Sequence, residues 1–296
     1  MKLKKVEELT VISFKTIAVC MKKPNLNEDY LIASDFDQTL SFNDSGIVLC
    51  EMLGISGFAD RVAGLSKTHL VQQGAELAYL LRHDPEFRLV RRDHLIEAGK
   101  RVRLKKNVEL LAEVLREGFD ASRFNFFVIS ASPLLVVRSA LEGIVPADHI
   151  FGTELDFAAN GEICAIKRVP AGYGKVTVLQ EIEAKLHVSP DHTIYIGDGS
   201  SDHHVMQHVN GREGHTIAVS EAKSIGRIAN RTVLSDSAMS VVVPILEDML
   251  KWTSGRIREL FVSYGLAIQD WDKIHTDWLT FHEPSLTLMR ESAIAG

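Results

Sequence analysis

The chain is poor in the features that most often declare a function. It has only three cysteines in 296 residues, Cys20, Cys50 and Cys164. They are too few and too scattered for a disulfide framework or a thiolate metal site, so a reducing compartment is the default. It has no basic excess either: 33 Lys and Arg against 39 Asp and Glu leave a formal charge of −6. That balance argues against a nucleic-acid partner. The densest basic run, Arg91-Arg92 with Lys100 to Lys106, reads as a solvated helix face. No apolar stretch reaches the roughly 20 residues a membrane span needs. Lys2, Lys4 and Lys5 precede an apolar run from Val11 to Cys20, but Glu7, Glu8 and Lys15 interrupt this segment. No clear small-residue cleavage site follows, which argues against a signal peptide. Repeats and low-complexity tracts are missing. These exclusions point to a cytoplasmic protein with no nucleic-acid or membrane partner. A hydrophobic share of 46% with 24% charged residues suits a soluble globular enzyme of one large domain or two smaller ones.

What is present concentrates in Leu31-Ile-Ala-Ser-Asp35-Phe-Asp37-Gln-Thr39-Leu40. A short apolar run delivers two aspartates spaced i, i+2, and on an extended backbone both point the same way. Two anions that close raise each other's pKa unless a cation intervenes. Such a pair at the end of a buried strand suggests a divalent-metal site, a nucleophile with its acid/base partner, or both.

The remaining pattern alternates. From Asp44 to about Leu104 it is helical: apolar spacing at 46–53, a stripe from Lys67 to Leu81, and another from Arg92 to Val102. Val108 to Leu115 predicts a helix and Phe124 to Ser130 a strand buried on both faces. Helical spacing resumes from Ala131 to Leu141. Residues 149–166 read as two strands around the turn signal Asn160-Gly161. Lys175 to Leu186 is an amphipathic helix, and 192–198 and 216–219 are strands. The tail from Val243 to Gly296, with Trp252, Trp271 and Trp278, reads as mostly helical. Strands alternating with helices predict an α/β fold with a parallel, doubly wound sheet, and a site beyond the carboxyl ends of its strands.

Polar residues gather at those ends. Ser130 closes its strand before the expected helix, where a helix N-terminus suits an anion. Asp198 ends another strand, and Asp202 follows across Gly199-Ser-Ser201. Together with the first pair these carboxylates form an oxygen-rich cage fit for Mg²⁺. Lys175 opens its helix after Gly172-Tyr-Gly174, where it can place an ammonium near the pocket.

Asp35-Phe-Asp37-Gln-Thr39, Ser130, Lys175 and Gly197-Asp198-Gly199-Ser-Ser-Asp202 resemble the four motifs of the haloacid dehalogenase (HAD) superfamily over about residues 31 to 245. The helical insert is similar to the cap of its phosphoserine-phosphatase-like branch. The resemblance implies a Rossmann-like core at 31–44 and 105–245, a helical cap at 45–104, an N-terminal extension at 1–30 and a C-terminal helical extension at 246–296. It implies that Asp35 attacks phosphorus and forms an aspartyl-phosphate, with Asp37 as acid and then base. Mg²⁺ would be held by Asp35, the Asp37 carbonyl and Asp198, with Asp202 orienting the site from behind or through water. Ser130 and Lys175 would bind the phosphoryl group, and Thr39 would hold the loop around the nucleophile. Dehalogenases of this superfamily lack an aspartate at the place of Asp37, so phosphoryl transfer fits better. Asp44 matches an acidic residue that binds the substrate amine in phosphoserine phosphatases, and a helix N-cap explains it equally well. The branch's substrate-carboxylate arginine has no counterpart, since that stretch reads Gln73-Gly-Ala-Glu-Leu-Ala-Tyr79.

The expectation is therefore a Mg²⁺-dependent phosphatase of a small phosphorylated metabolite. A phosphotransferase that passes the group to an alcohol, and a non-catalytic binding protein on the same fold, are the alternatives. A zinc hydrolase fits poorly, because His203-His204 point apart on a helix and no spaced third ligand emerges. The tryptophan-bearing tail could dock on its own core, line a homodimer interface or cover the cap.

Overall fold

The computed structural model describes residues 28–68 and 71–273. Most of the expected N-terminal extension, Cys20, and the tail beyond residue 273 with Trp278 lie outside these. The chain divides into two units, Met1–Ile245 and Leu246–Gly296.

In the first unit seven strands form one sheet in the order β4-β3-β2-β1-β5-β6-β7. These are β1 Asp29–Ser34, β2 Arg123–Pro133, β3 Ile150–Phe157, β4 Ile163–Arg168, β5 Thr193–Gly197, β6 His215–Ala218 and β7 Arg231–Thr232. Every pairing is parallel except β3 with β4, the hairpin expected at Asn160-Gly161. β1 lies at the centre because its apolar run is buried on both faces: Leu31, Ile32 and Ala33 have no exposed surface. The helices are α1 Ser45–Leu53, α2 Phe58–Thr68, α3 Glu76–His83, α4 Arg92–Arg101, α5 Val108–Glu117, α6 Leu134–Ala140, α7 Tyr173–Leu186, α8 His203–Asn210 and α9 Lys223–Gly226. Leu31, Ala33, Phe127, Ile129 and Tyr195 pack under Leu179 and Ile182 of α7 and Val205, Met206 and Val209 of α8. Alternation turns Ile32, Phe126 and Val128 to the opposite face. Each such Leu or Ile contributes about 1.5–3 kcal/mol of burial. The chain winds outward from β1 through β2 and β3, then returns to β5 on its other side. The crevice at the carboxyl end of β1 is therefore the topological switch point.

Helices α1 to α4 form an insert between β1 and α5. Its two linkers run antiparallel: Phe42 N–H donates to the Arg103 carbonyl, and Lys105 N–H to that of Leu40, each at 2.8 Å.

Two expectations need correction. The stripe from Lys67 to Leu81 is not one helix, because α2 ends at Thr68 and α3 begins at Glu76. Gly74 between them takes φ +92°, a left-handed conformation that suits glycine. Buried Glu76 accepts from Ser66 Oγ and the Gly74 N–H, both at 2.8 Å, which ties the broken ends together. β2 does not stop at Ser130 but runs on to Pro133, whose register partner is Thr153 on β3, and Thr153 Oγ1 donates to the Ala131 carbonyl at 2.6 Å. The following helix starts only at Leu134, so Ser130 is a strand residue. The described part of the tail is mostly helical, as expected, with a short turn at Val242–Pro244, a π-helical turn at Ile245–Met249 and the longer helix α10 Ser254–Ser263, then irregular chain to residue 273. Within this second unit Ile257 and Phe261 are buried, and the Arg258 guanidinium lies 5.3 Å from the Trp271 ring centroid.

Two helix glycines test the packing in opposite directions. A Cβ on Gly64 in α2 meets nothing within 4 Å, whereas one on Gly99 in α4 would lie 2.3 Å from the Val136 carbonyl oxygen of α6. Gly64→Ala is expected to stabilise by up to about 1 kcal/mol through helix propensity. Gly99→Ala is expected to destabilise by about 1–3 kcal/mol through overpacking. Urea-unfolding midpoints measure both, and a raised midpoint for Gly99→Ala would contradict the close seating of α4 on α6.

Candidate active site

Asp35 follows β1 directly. Its amide donates to the Ile196 carbonyl of β5 at 2.8 Å, so the strand ladder carries the residue into the switch point. Only 5% of Asp35 is exposed. Its Oδ1 accepts from the Phe36 N–H at 2.7 Å and from Lys175 Nζ at 3.0 Å. The loop then coils tightly: the Phe36 carbonyl accepts from the amides of Thr39, Leu40 and Ser41 at 3.3, 2.9 and 3.1 Å, and Gln38 takes φ +58° at its tip.

Lys175 sits on the first turn of α7 and is fully buried. Its Nζ lies 2.6 Å from Asp202 Oδ1. The same oxygen accepts from the Tyr195 hydroxyl at 2.7 Å, while Asp202 Oδ2 accepts from the amides of Asp198 and Gly199 at 3.1 and 3.2 Å. Asp202 therefore spends its oxygens holding the loop after β5 and the lysine. A Cβ on Gly197 would fall 2.5 Å from the Asp202 carboxyl carbon, so only glycine lets this carboxylate reach under the loop. Asp198 is left at the mouth, with Thr39 Oγ1 donating to its Oδ1 at 3.4 Å.

Metal ligation is a matter of donor chemistry here. Carboxylate oxygens of Asp35, Asp198 and Asp202 all lie within 4.8 Å of one another. Oδ2 of Asp35 and Oδ2 of Asp198 accept no hydrogen bond among the described residues. Two hard, uncommitted oxygens in a half-enclosed site fit Mg²⁺, with Asp202 supporting them from behind.

Asp37 has different company. Its Oδ1 accepts from the Ser45 N–H at 2.9 Å, and its Oδ2 accepts from Ser45 Oγ at 2.9 Å and from Ser132 Oγ. The two hydroxyls also touch each other at 2.5 Å. Asp44 is the N-cap of α1: its Oδ1 accepts from the amides of Gly46 and Ile47 at 2.8 and 3.1 Å. Ser130, 1% exposed, accepts from the Ser132 N–H at 3.1 Å through its Oγ. The structure thus brings Asp35, Lys175, Asp198 and Asp202 into one cluster, with Thr39 on Asp198. It sets Asp37 in a second group beside Asp44, and Ser130 at the end of β2 between β1 and β3.

Sequence reasoning missed Ser45, Ser132 and Tyr195. Ser132 lies i+2 from Ser130 and would share its face if the strand had been extended, so the early switch to a helix hid it. Ser45 is the neighbour of Asp44. The cap tip was missed as well. A Cβ on Gly74 would meet those of Ser201, Ala171 and Ala131 at 2.9, 3.3 and 3.6 Å. With its amide oriented to satisfy both ends, Gln72 donates to the Ala171 carbonyl at 3.2 Å and accepts from the Tyr173 N–H at 2.6 Å. The insert therefore rests on the loops that hold Ala171 and Ser201 and on β2 at Ala131. A separate hollow of about 610 Å³, lined in part by Ile96, Arg116, Leu135 and Arg138, holds none of these residues.

Burial pushes the pKa of Asp35 and of Asp37 up to about 7, and that of Asp198 up to about 8. Lys175 opposes this at Asp35, whereas Asp44 adds to it at Asp37. Burial alone would lower Lys175, but the carboxylates of Asp202 and Asp35 outweigh it and hold the ammonium above its ordinary value.

With this geometry in place the comparisons are direct. The sequence profile of haloacid dehalogenase-like hydrolases matches residues 32–207, and the chain belongs to that family. No curated protein sequence matches it. Among solved structures, a phospho-aspartyl intermediate analogue of phosphoserine phosphatase superposes with TM-score 0.59 at 18% identity, over 73% of this chain and 99% of that one. A substrate-bound phosphoserine phosphatase gives TM-score 0.58 at 16% identity, over 73% and 98%. A gene product of Archaeoglobus fulgidus gives 0.59 at 15% identity, over 81% and 88%. At these identities the likeness is one of fold.

The raised carboxyl pKa values carry a consequence for stability. The metal-free fold binds protons that the unfolded chain, with carboxyls near pKa ~3.9, has already released. Its stability is therefore full at acid pH and falls as pH rises towards about 8. In chelator, Tm is expected to drop from about pH 5 to about pH 8.5, and Mg²⁺ should flatten the drop by favouring the ionised forms. A chelator profile that is flat or rising would contradict the carboxylate cluster.

Proposed function

We propose that the protein is a Mg²⁺-dependent hydrolase of small phosphomonoesters that works through an aspartyl-phosphate on Asp35. The observation that carries this reading is the unlike surroundings of two neighbouring carboxyls. Asp35 faces an ammonium and keeps an open oxygen, which suits a nucleophile. Asp37 faces two hydroxyls and an amide, which suits a group that passes a proton. Carboxyls set apart in this way take separate acid/base roles.

In the first half-reaction an Asp35 oxygen bonds to phosphorus, the bond to the leaving oxygen breaks, and Asp37 gives that oxygen its proton. In the second, water attacks phosphorus, Asp37 takes the water's proton, and the bond from Asp35 to phosphorus breaks. Phosphate leaves and Asp37 is again protonated. Mg²⁺, held by Asp35 and Asp198, would supply charge neutralisation for the entering phosphate. Lys175 offsets the negative cluster, and Ser130, whose own hydroxyl proton meets no acceptor among the described residues, is free to donate to a phosphoryl oxygen.

Support for the substrate class comes from the insert. Six of its seven arginines have contacts of their own: Arg61 with Asp84 and Glu86, Arg82 with the Cys164 carbonyl, Arg91 with Glu162, Arg101 with Glu97, and Arg92 and Arg103 over the rings of Phe157 and Phe42. This favours a small metabolite whose leaving group need not present a second anion.

Phosphate release across a panel of phosphorylated metabolites, with Mg²⁺ and with chelator, tests the reading. Release is expected only with the metal, and Asp35→Asn should lower it by roughly a thousandfold or more. Equal rates in wild type and variant would refute the nucleophile. Phosphoryl groups appearing on an added alcohol in preference to water would replace hydrolysis by transfer.

A further inference from the structure

The proposed mechanism leaves open what holds Asp37 in place. Lys175 has no recorded contact with it, and its carboxyl is bounded by groups from two separate parts of the fold. From the insert, Ser45 presents both its N–H and its hydroxyl, one to each carboxyl oxygen at 2.9 Å. From β2, Ser132 presents its hydroxyl to Oδ2. The serines are 1% and 5% exposed and their hydroxyls touch each other at 2.5 Å. The first turn of α1 is divided accordingly: the amides of Gly46 and Ile47 go to Asp44, while that of Ser45 goes to Asp37. Contacts at both oxygens fix the plane of the carboxyl as well as its position. Ser132 reaches this carboxyl because β2 continues past Ser130 through a stretch in which its register against β3 shifts between Ile129 and Pro133.

We infer that Ser45 and Ser132 are positioning residues for Asp37, clamping its carboxyl between the inserted helices and the core sheet so that it meets the leaving oxygen. The inference rests on the reading of Asp37 as the proton donor. It gives the insert a part in catalysis besides covering the site: moving α1 withdraws two of the contacts that aim the acid. Asp44 stands one step further out and holds the turn that presents Ser45.

A positioning role and a merely structural one differ in their dependence on the leaving group. A weakly acidic alcohol must be protonated as it departs, while p-nitrophenolate leaves without help. We would measure kcat/KM, which ends at departure of the leaving group and so excludes the water step in which Asp37 is the base, for wild type, Ser45→Ala, Ser132→Ala and Asp37→Asn on substituted phenyl phosphates, from p-nitrophenyl phosphate to unsubstituted phenyl phosphate. Each serine variant is expected to lose roughly 10–100-fold in kcat/KM on phenyl phosphate and less than about threefold on p-nitrophenyl phosphate, since misplacing a catalytic group costs up to about 100-fold. Asp37→Asn should show the same selectivity, more strongly. Ser132→Thr, which keeps a hydroxyl, should recover most of the loss. Should Ser45→Ala fail to fold, Ser132→Ala carries the same comparison from outside the insert. An even loss across the series in the serine variants, with Asp37→Asn still selective, would overturn the positioning role and leave the acid standing. A loss in Asp37→Asn that does not depend on the leaving group would overturn the acid itself.

Discussion

A fully buried ammonium between two buried carboxylates sets the terms for the rest of the molecule. Lys175 Nζ stands 3.0 Å from Asp35 and 2.6 Å from Asp202, on three segments far apart in sequence. A lysine with no exposed surface is tolerated only with such partners, and removing one partner of a buried pair costs about 3–5 kcal/mol. The start of α7, the end of β1 and the loop after β5 must therefore arrive together. Tyr195 and the amides of Asp198 and Gly199 complete the coordination of Asp202, which leaves Asp198 free at the mouth. The arrangement gives a rigid base with a few unsatisfied oxygens facing outward, as a divalent cation requires.

Much of this was legible in the sequence, because charge at the end of an apolar strand has few explanations. Asp35 and Asp198 could be placed by asking where a buried run meets an ionisable side chain, whereas Asp202, across a Gly/Ser loop, and Lys175, after Gly172-Tyr-Gly174, gained their weight from the four motifs taken together. The chain's membership of the haloacid dehalogenase-like hydrolases and the parallel sheet agree with that placement. What escaped depended on tertiary pairing. The last residues of β2 have helical spacing, and they stay with the sheet through an irregular pairing with β3, resumed at Pro133 and Thr153, so the Ser132 hydroxyl was hidden. The break between α2 and α3 depends on one glycine at positive φ and one buried glutamate, neither of which disturbs an apolar stripe. Ser45 is an unremarkable first residue of a helix until Asp37 folds back against it.

The insert meets the core beside the carboxylates. It touches the core loops through small residues, Gly74 over Ala131, Ala171 and Ser201, and through the Gln72 amide on the loop that leads to Lys175. Contacts of that kind depend on shape and hydrogen bonding, and periodicity does not record them.

The central claim is that Asp35 carries the phosphoryl group between two half-reactions. The most direct measurement is acid quench during steady-state turnover of the best substrate, followed by peptide mapping by mass spectrometry. A phosphoryl adduct on Asp35, present with Mg²⁺ and absent in chelator, is the predicted result. Full turnover with no adduct on Asp35, or an adduct on another residue, would contradict the account.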